Sequence, residues 1–543
     1  MGLLREVLRL PDLRRLEAAW GFAQIGGHCS TVALFVYAYA EGGALAAAAY
    51  GVGRTVPAGL VTPYLVAATA RLPVERLLRH LTLARALLQA VAAVGIATGQ
   101  PVALVIALAT VSASMAASFR PLQALALPWL ARTPEELTAA NVTATLADNV
   151  AVVVGPLLAA GVLYVAGADA AMFAATGSLA VAAGWLLRVR VPMTPHARTA
   201  GARVRGEVVP GVQLLGEVVP RMGLVVLILV QTFARGLLLV LVVVLVLDRL
   251  AMADGVVGLL HTAMGLGGLV GGLAAASLVR LTRLGRSVVV GVGGWGLGVL
   301  AAAGAVDLAV VLLAMALVGF SNSIADAGGF TLVPRLLRPR DAATALGVVE
   351  VIALLGIGSG SLVAPALEDW LGLRTALAAS GGLLLLAALL YWPTFRRVDA
   401  TIVQPGPELA LLRGLPMFAG LPVAVVEQLA STAAPRRYEP GQPVMRQGEP
   451  SDVLHVICSG RAAVTVDGSP RPGLGPGECF GEIALLRDVP RTATVMAEEP
   501  LETLTVERDE FLVAVTGNSA ALVDAEALVE SRLRRDRSPG DRE

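Results

Sequence analysis

Phe480-Gly481-Glu482-Ile483-Ala484-Leu485-Leu486, followed after a three-residue spacer by Pro490-Arg491-Thr492-Ala493-Thr494-Val495, place a glycine, a carboxylate and an arginine at a spacing that can hold a cyclic sugar-phosphate. Gly481 lets backbone come close to a ligand, and free N–H groups at the start of the short helical turn after it can point at phosphate oxygens. Glu482 can accept from a ribose hydroxyl, Arg491 supplies a permanently charged planar fork for the phosphate, and Thr492 adds a hydroxyl donor beside it. Taken singly, Arg491 reads as a surface arginine beginning a strand and Glu482 as a helix-capping acid; the whole constellation in register favours the ligand site.

The residues upstream read as turns and alternating strands: Tyr438-Glu439-Pro440-Gly441, Arg446-Gln447-Gly448-Glu449 and Leu454-His455-Val456-Ile457-Cys458-Ser459-Gly460. With them, residues 415–535 resemble a cyclic nucleotide-binding domain of the catabolite activator protein and kinase regulatory-subunit type, and the run from Phe480 to Val495 resembles its phosphate-binding cassette. The resemblance implies a small α+β domain built on a jelly-roll-like β-roll. It also implies that Glu482 binds the ribose 2′-hydroxyl, that Arg491 pairs with the phosphate, and that Gly481, Ile483, Ala484, Thr492 and Ala493 line the cassette. A carboxyl-terminal helix from about Ser519 to Arg535 carries Leu522, Ala525, Leu528, Val529 and Leu533 on an amphipathic pattern, and the resemblance makes it a lid over the base. The expected regulatory ligand is cAMP, with cGMP the less favoured alternative, because Thr492 fits either nucleotide and the chain looks prokaryotic.

Ahead of this module lies a different kind of sequence. The 543 residues are 56% hydrophobic and only 15% charged, with mean hydropathy +0.73, which places most of the chain in a lipid bilayer. A net charge of +1 and the lack of a basic tract with interleaved aromatics argue against a nucleic-acid partner. All 42 basic residues are arginine, so a P-loop lysine, a Schiff-base lysine or a Ser–Lys dyad is impossible. With no paired acid/base group, nucleophile elbow or metal-spaced His/Cys cluster, no enzyme and no metal site is expected. Three cysteines, Cys29, Cys458 and Cys479, support neither a disulfide framework nor a cysteine cluster.

Hydrophobic runs long enough to cross about 30 Å of hydrocarbon recur near 16–40, 43–69, 78–99, 101–131, 137–167, 170–189, 220–248, 253–280, 286–306, 307–337, 341–367 and 370–393. Arginines precede the first run (Arg5, Arg9, Arg14, Arg15) and mark alternate loops: Arg71, Arg76 and Arg79; Arg132; Arg198, Arg203 and Arg205; Arg280, Arg283 and Arg286; Arg335, Arg338 and Arg340; Arg396 and Arg397. The intervening loops are short and acidic. By the positive-inside rule both termini are cytoplasmic, the side on which a cyclic nucleotide is made. The first run carries no small-residue cleavage site after its basic segment and reads as a retained span.

The runs repeat. Leu127-Pro128-Trp129-Leu130-Ala131-Arg132 lines up with Val333-Pro334-Arg335-Leu336-Leu337-Arg338, and Gly155 with Gly360, which predicts six spans plus six with a site between the halves. Residues 10–395 resemble the major facilitator superfamily, with degenerate loop motifs (Arg71-Leu72-Pro73-Val74-Glu75-Arg76; Arg283-Leu284-Gly285-Arg286, lacking the family's aspartate) and efflux-type members as nearest relatives. The expected fold is an all-α polytopic bundle of twelve transmembrane helices in a 6+6 pseudo-repeat, followed by the β-roll domain. The parts are residues 1–189 and 220–395 for the halves, 190–219 for the inter-half loop, 396–414 for a linker, 415–535 for the sensor and 536–543 for a disordered tail.

Ionisable groups within spans are costly unless paired or facing a wet cavity, so each is a functional candidate. The family's architecture puts spans one, four, seven and ten around the cavity, and these carry His28 with Gln24, Arg120, Arg235 with Gln231, and Asp326 with Asn322. Arg54, Asp148 and Glu350 are further candidates. Asp326 or Glu350 is expected as a proton-coupling carboxylate, and Arg120 and Arg235 as partners of an anionic substrate group or of the carboxylates; interhelical salt bridges are the bland alternative. The function expected is a secondary transporter of an unidentified small molecule, proton-coupled and regulated by cytosolic nucleotide; the alternative is a membrane-anchored nucleotide receptor that no longer transports.

Overall fold

The computed structural model describes residues 10–68, 72–131, 134–191, 222–278, 284–337, 339–401, 407–421, 423–450, 452–516 and 519–536. Most of the inter-half loop, the centre of the linker, the tail, and Arg5, Arg9, Arg71, Arg132, Arg198, Arg203, Arg205, Arg280, Arg283 and Arg338 lie outside the described residues. Two compact units divide the chain, Met1–Ala400 and Thr401–Glu543.

The first unit is helical: α1 (Pro11–Ala67), α2 (Val74–Ala97), α3 (Val102–Ala116), α4 (Phe119–Leu130), α5 (Pro134–Leu186), α6 (Gly223–Val244, extended by a π turn Leu245–Arg249), α7 (Gly255–Leu278), α8 (Leu284–Gly304), α9 (Leu308–Leu336), α10 (Pro339–Leu371) and α11 (Leu373–Thr401). Among the described residues, ten segments are long and apolar enough to cross a membrane, two of them double-length at 52 and 48 residues. α1 breaks at Gly42-Gly43 and α5 at Gly167, both with a glycine in the left-handed region, so each long segment makes two passes. Twelve crossings result, and the unit is a multi-pass membrane bundle.

The pseudo-repeat is visible in backbone packing. A Cβ on Gly155 would lie 2.7 Å from the Ile25 carbonyl oxygen, and one on Gly360 2.0 Å from that of Phe233. The fifth crossing therefore rests directly on the first, and the eleventh on the seventh, at equivalent places in the two halves. Between the halves, α7 packs on α5 and α10 on α1.

The last crossing continues beyond residue 395 through Arg396–Asp399, because Phe395 and Val398 turn inward and stay buried. Asp399 then caps the start of α8. Its carboxylate accepts from the backbone N–H groups of Gly285 (2.6 Å) and Arg286 (3.0 Å) and from Arg286 Nε (3.0 Å). The acid absent from the Arg283–Arg286 motif is thus supplied from the far end of the half, where it meets both the positive end of a helix and a guanidinium.

The second unit opens with α12 (Pro407–Gly414), α13 (Pro416–Ala419) and α14 (Val423–Thr432), followed by β1 (Ala434–Tyr438), β2 (Pro443–Met445), β3 (Val453–Ser459), β4 (Ala462–Val466), β5 (Ser469–Leu474), β6 (Cys479–Phe480), α15 (Glu482–Arg487), β7 (Thr494–Ala497), β8 (Leu501–Glu507), α16 (Arg508–Thr516) and α17 (Ser519–Asp536). The strands form two antiparallel four-stranded sheets, ordered β1-β8-β3-β6 and β2-β7-β4-β5. Strand β3 shows the two-residue period of a strand buried on both faces. Leu454 and Val456 enter a cluster with the helices (Leu412, Phe418, Phe511, Ala525), while Ile457 joins Phe480, Val495 and Leu501 in a second cluster.

Candidate functional site

In the second unit the cassette is built at the end of β6. His455 pairs with Phe480 across β3 and β6, and their rings stack at 4.9 Å. That pairing fixes the strand's last residue and delivers Gly481 at φ +94°, a conformation suited to glycine, as the residue preceding α15. No side chain caps the helix start. On the other side, the Arg446–Glu449 turn holds Arg491: Arg491 N donates to Glu449 O (2.9 Å), Gly448 N to Arg491 O (2.8 Å), and Gln447 N to Thr494 Oγ1 (3.0 Å).

These supports bring Gly481 and Arg491 into contact. Arg491, 5% exposed, donates through Nη2 to Val453 O (2.8 Å) and through Nη1 to Gly481 O (3.3 Å). A Cβ at position 481 would lie 2.1 Å from Nη1, so the glycine leaves the space that the guanidinium occupies. Burial lowers the Arg491 pKa, and Glu482, Asp452 and Glu449 oppose that shift. Glu482 is 1% exposed; its Oε1 accepts from Arg532 Nη1 at 2.7 Å, and its Oε2 is buried with no partner. A buried carboxylate oxygen without a donor is costly, and a ligand hydroxyl is the kind of group that would satisfy it.

Ile483, Ala484 and Ala493 are buried around this centre, and Thr492 is half-buried next to Arg491. Of the expected lid residues, Ala525 and Val529 are fully buried and Leu522 is partly buried, with Ala525 and Leu522 in the helical cluster. The residue of that helix which reaches the cassette is Arg532, which also donates to Cys479 O at 2.7 Å. Burial lowers the pKa of Arg532, but the charge and hydrogen bond of Glu482 help raise it above its ordinary value, so it stays charged. Arg532 escaped the sequence reading, although a signal was present: it lies three residues beyond Val529, on the buried side of the helix, where an arginine requires a partner. His455 sits between Phe480 and Tyr438; burial, then Arg491 and Arg436, push its pKa down to about 3, so it is neutral. Cys479 is pushed up to about 12, mainly by burial, and stays a thiol.

In the first unit, residues from both halves line a cavity of about 490 Å³ that includes Gln24, His28, Arg54, Arg120 and Arg235. Arg120 donates to Gln123 Oε1 (3.1 Å) and lies 5.6 Å from the Trp20 ring centroid, and Gln123 donates to the buried Glu17 (3.0 Å). Asp326 and Glu350 are not in this cavity. They line a neighbouring one of about 270 Å³ with Gln231, Asn322 and Arg235, in which Asn322 Nδ2 donates to Asp326 (2.7 Å). Asp148 lines neither and instead accepts from Gln24 Nε2 at 2.7 Å. The cavity also holds Arg85 and His261, from the third and eighth crossings, outside the four that the family architecture places around it.

Two family models match the chain: "Cyclic nucleotide-binding domain" over residues 435–518 and "Major Facilitator Superfamily" over residues 224–435. The chain carries a major facilitator domain and a carboxyl-terminal cyclic nucleotide-binding domain. The nucleotide-binding domain is similar to part of the acetyltransferase Pat of Mycolicibacterium smegmatis, at 44% identity over 104 residues, 18% of this chain and 31% of that protein. It is similar also to part of a cGMP-dependent protein kinase of Eimeria tenella, at 37% identity over 107 residues, 20% of this chain and 11% of the kinase. Among solved structures, the catabolite activator protein of Thermus thermophilus is 32% identical, covering 22% of this chain and 58% of that one, with a TM-score of 0.20. The chain spans about a third or less of the length of these curated relatives. Their similarity belongs to the nucleotide-binding domain.

Proposed function

We propose that the protein is a secondary transporter of the cell membrane, with both termini in the cytoplasm, whose flux is set by cAMP bound to its carboxyl-terminal domain. The observation that carries this reading is one chain holding two incomplete polar centres: a cavity between the halves of a twelve-crossing bundle, and a cassette with an open buried carboxylate oxygen beside an arginine. In the cassette, Glu482 would take the ribose hydroxyl, and Arg491, with Thr492, the phosphate. Arg532 holds the other Glu482 oxygen, so the carboxylate stays oriented. Leu522, Ala525 and Val529 place the helix that carries Arg532. Transport is coupled to protons through Asp326 or Glu350, each within electrostatic reach of Arg235. The ligand acts by binding one global arrangement better than another, and a tenfold preference is worth about 1.4 kcal/mol.

Flux of labelled small molecules into or out of proteoliposomes, with and without cAMP on the sensor side and across a pH gradient, tests the reading. A change in rate with cAMP that Arg491→Ala abolishes is expected; flux indifferent to cAMP, while the sensor binds it, would overturn the regulatory half. Competition by cGMP tests the choice of nucleotide, for the curated relatives include both cGMP-dependent kinases and a cAMP-dependent kinase regulatory subunit.

A further inference from the structure

The bundle sorts the charges within its spans by sign. The larger cavity is lined by Arg54, Arg85, Arg120 and Arg235, with His28 and His261, and among the described residues its lining contains no aspartate or glutamate. Asp326 and Glu350 face the smaller cavity instead, and the two cavities share Arg235. None of the four arginines is in a salt bridge among the described residues. Arg85 is 3% exposed and its Nε is buried without a partner. Of the nearby acids, Glu17 accepts from Gln123 and lies within electrostatic reach of Arg120, and Asp148 accepts from Gln24. Arg54 lies within electrostatic reach of Arg235 and of His28, so the cluster repels itself across the seam between the halves. Arg235 has Asp326 and Glu350 within electrostatic reach and Arg120 has Glu17, whereas Arg54 and Arg85 face no carboxylate among the described residues; guanidinium groups held that way in an apolar bundle cost several kcal/mol, and a resident anion relieves that cost.

The remaining lining joins an apolar and aromatic surface, including Trp20, Tyr50, Trp295, Leu34 and Leu239, to neutral polar groups such as Gln24, Thr31 and Gln89, and the volume of about 490 Å³ suits a metabolite-sized molecule. We propose that the transported substrate is an organic anion, with carboxylate or phosphate groups held by Arg54, Arg85 and Arg235 and an apolar body packed on the aromatic wall. The inference rests on the transporter reading and deepens it. Arg235 faces the substrate on one side and Asp326 and Glu350 on the other, so the anion and the two carboxylates compete for one guanidinium. That competition gives substrate binding in one cavity an electrostatic effect on the acids in the other.

Charge-matched probe series offered to the purified full-length protein test this: phthalate, phthalamide and 1,2-bis(aminomethyl)benzene for the carboxylate arm, and adenosine 5′-monophosphate against adenosine for the phosphate arm. Binding is read as a dose-dependent rise in melting temperature, in protein whose sensor has been presaturated with cAMP. The expected result is that an anionic member binds and its neutral and cationic counterparts do not. Arg54→Gln and Arg85→Gln should each raise its half-saturation at least tenfold, while Arg54→Lys keeps most of the affinity. Equal binding by amides or amines would overturn the proposal, as would anion binding that survives both glutamine variants together, or no binding by any anion of either arm at millimolar concentration. Anions that bind but never cross proteoliposomes would leave the substrate class standing and remove the transporter reading. Flux of a cation or neutral molecule would do the reverse.

Discussion

Gly481→Ala tests the cassette geometry most directly, because the structure specifies what the added methyl meets. At φ +94° an alanine carries a conformational cost of roughly 1–2 kcal/mol. Its Cβ would also stand 2.1 Å from Arg491 Nη1, and the guanidinium must withdraw by about 1 Å or more to restore contact distance. Withdrawal breaks its hydrogen bonds to Gly481 O and Val453 O and moves the charge away from the phosphate position. Losing one or two charge-assisted bonds to a ligand phosphate, at about 1.5–3 kcal/mol each, weakens binding by roughly 10- to 10⁴-fold. Isothermal titration of cAMP into the purified protein measures this, with Gly475→Ala as control, since nothing lies within 4 Å of a Cβ there. An affinity for Gly481→Ala within threefold of the parent would refute the reasoning, since Arg491 could then serve from elsewhere.

The pairing of Glu482 with Arg532 makes a second prediction. Arg532→Ala strands a buried carboxylate and should destabilise residues 401–543 by about 3–5 kcal/mol in urea, whereas Glu482→Gln with Arg532→Ala should recover part of that loss. Thr492→Ala should change the ratio of cAMP to cGMP affinity in competition binding while leaving the fold intact; an unchanged ratio removes Thr492 from nucleotide choice. His455 has a folded pKa of about 3, below its ordinary 6.5, so its contribution to stability is complete above pH 6.5 and is lost as pH falls toward 3. Chemical denaturation at stepped pH should show a slope of about 1.4 kcal/mol per pH unit in that window, and His455→Phe, which keeps the stack on Phe480, should remove it.

Much of the architecture was legible before any coordinates, because it rests on local rules. Bilayer thickness demands runs of apolar residues, and the twelve runs match the crossings down to the breaks near Gly42-Gly43 and Gly167. The cassette was legible because Gly481, Glu482 and Arg491 lie within eleven residues and the strand pairing of His455 with Phe480 leaves them little choice of place. Arg532 is 50 residues from Glu482, and Asp399 is 114 from Gly285, and no spacing rule connects either pair.

What the sequence by itself determined is therefore which segments enter the membrane, how they repeat, and which residue types meet at the nucleotide cassette. Only the tertiary structure decided which helix faces oppose one another. That placed four arginines in one cavity and two carboxylates in the next, moved Asp148 onto Gln24, and turned Arg532 toward Glu482. The physical reason is range: hydrophobic burial and backbone conformation are set by neighbours along the chain, whereas the partner of a buried charge is set by whatever packing brings within a few ångströms.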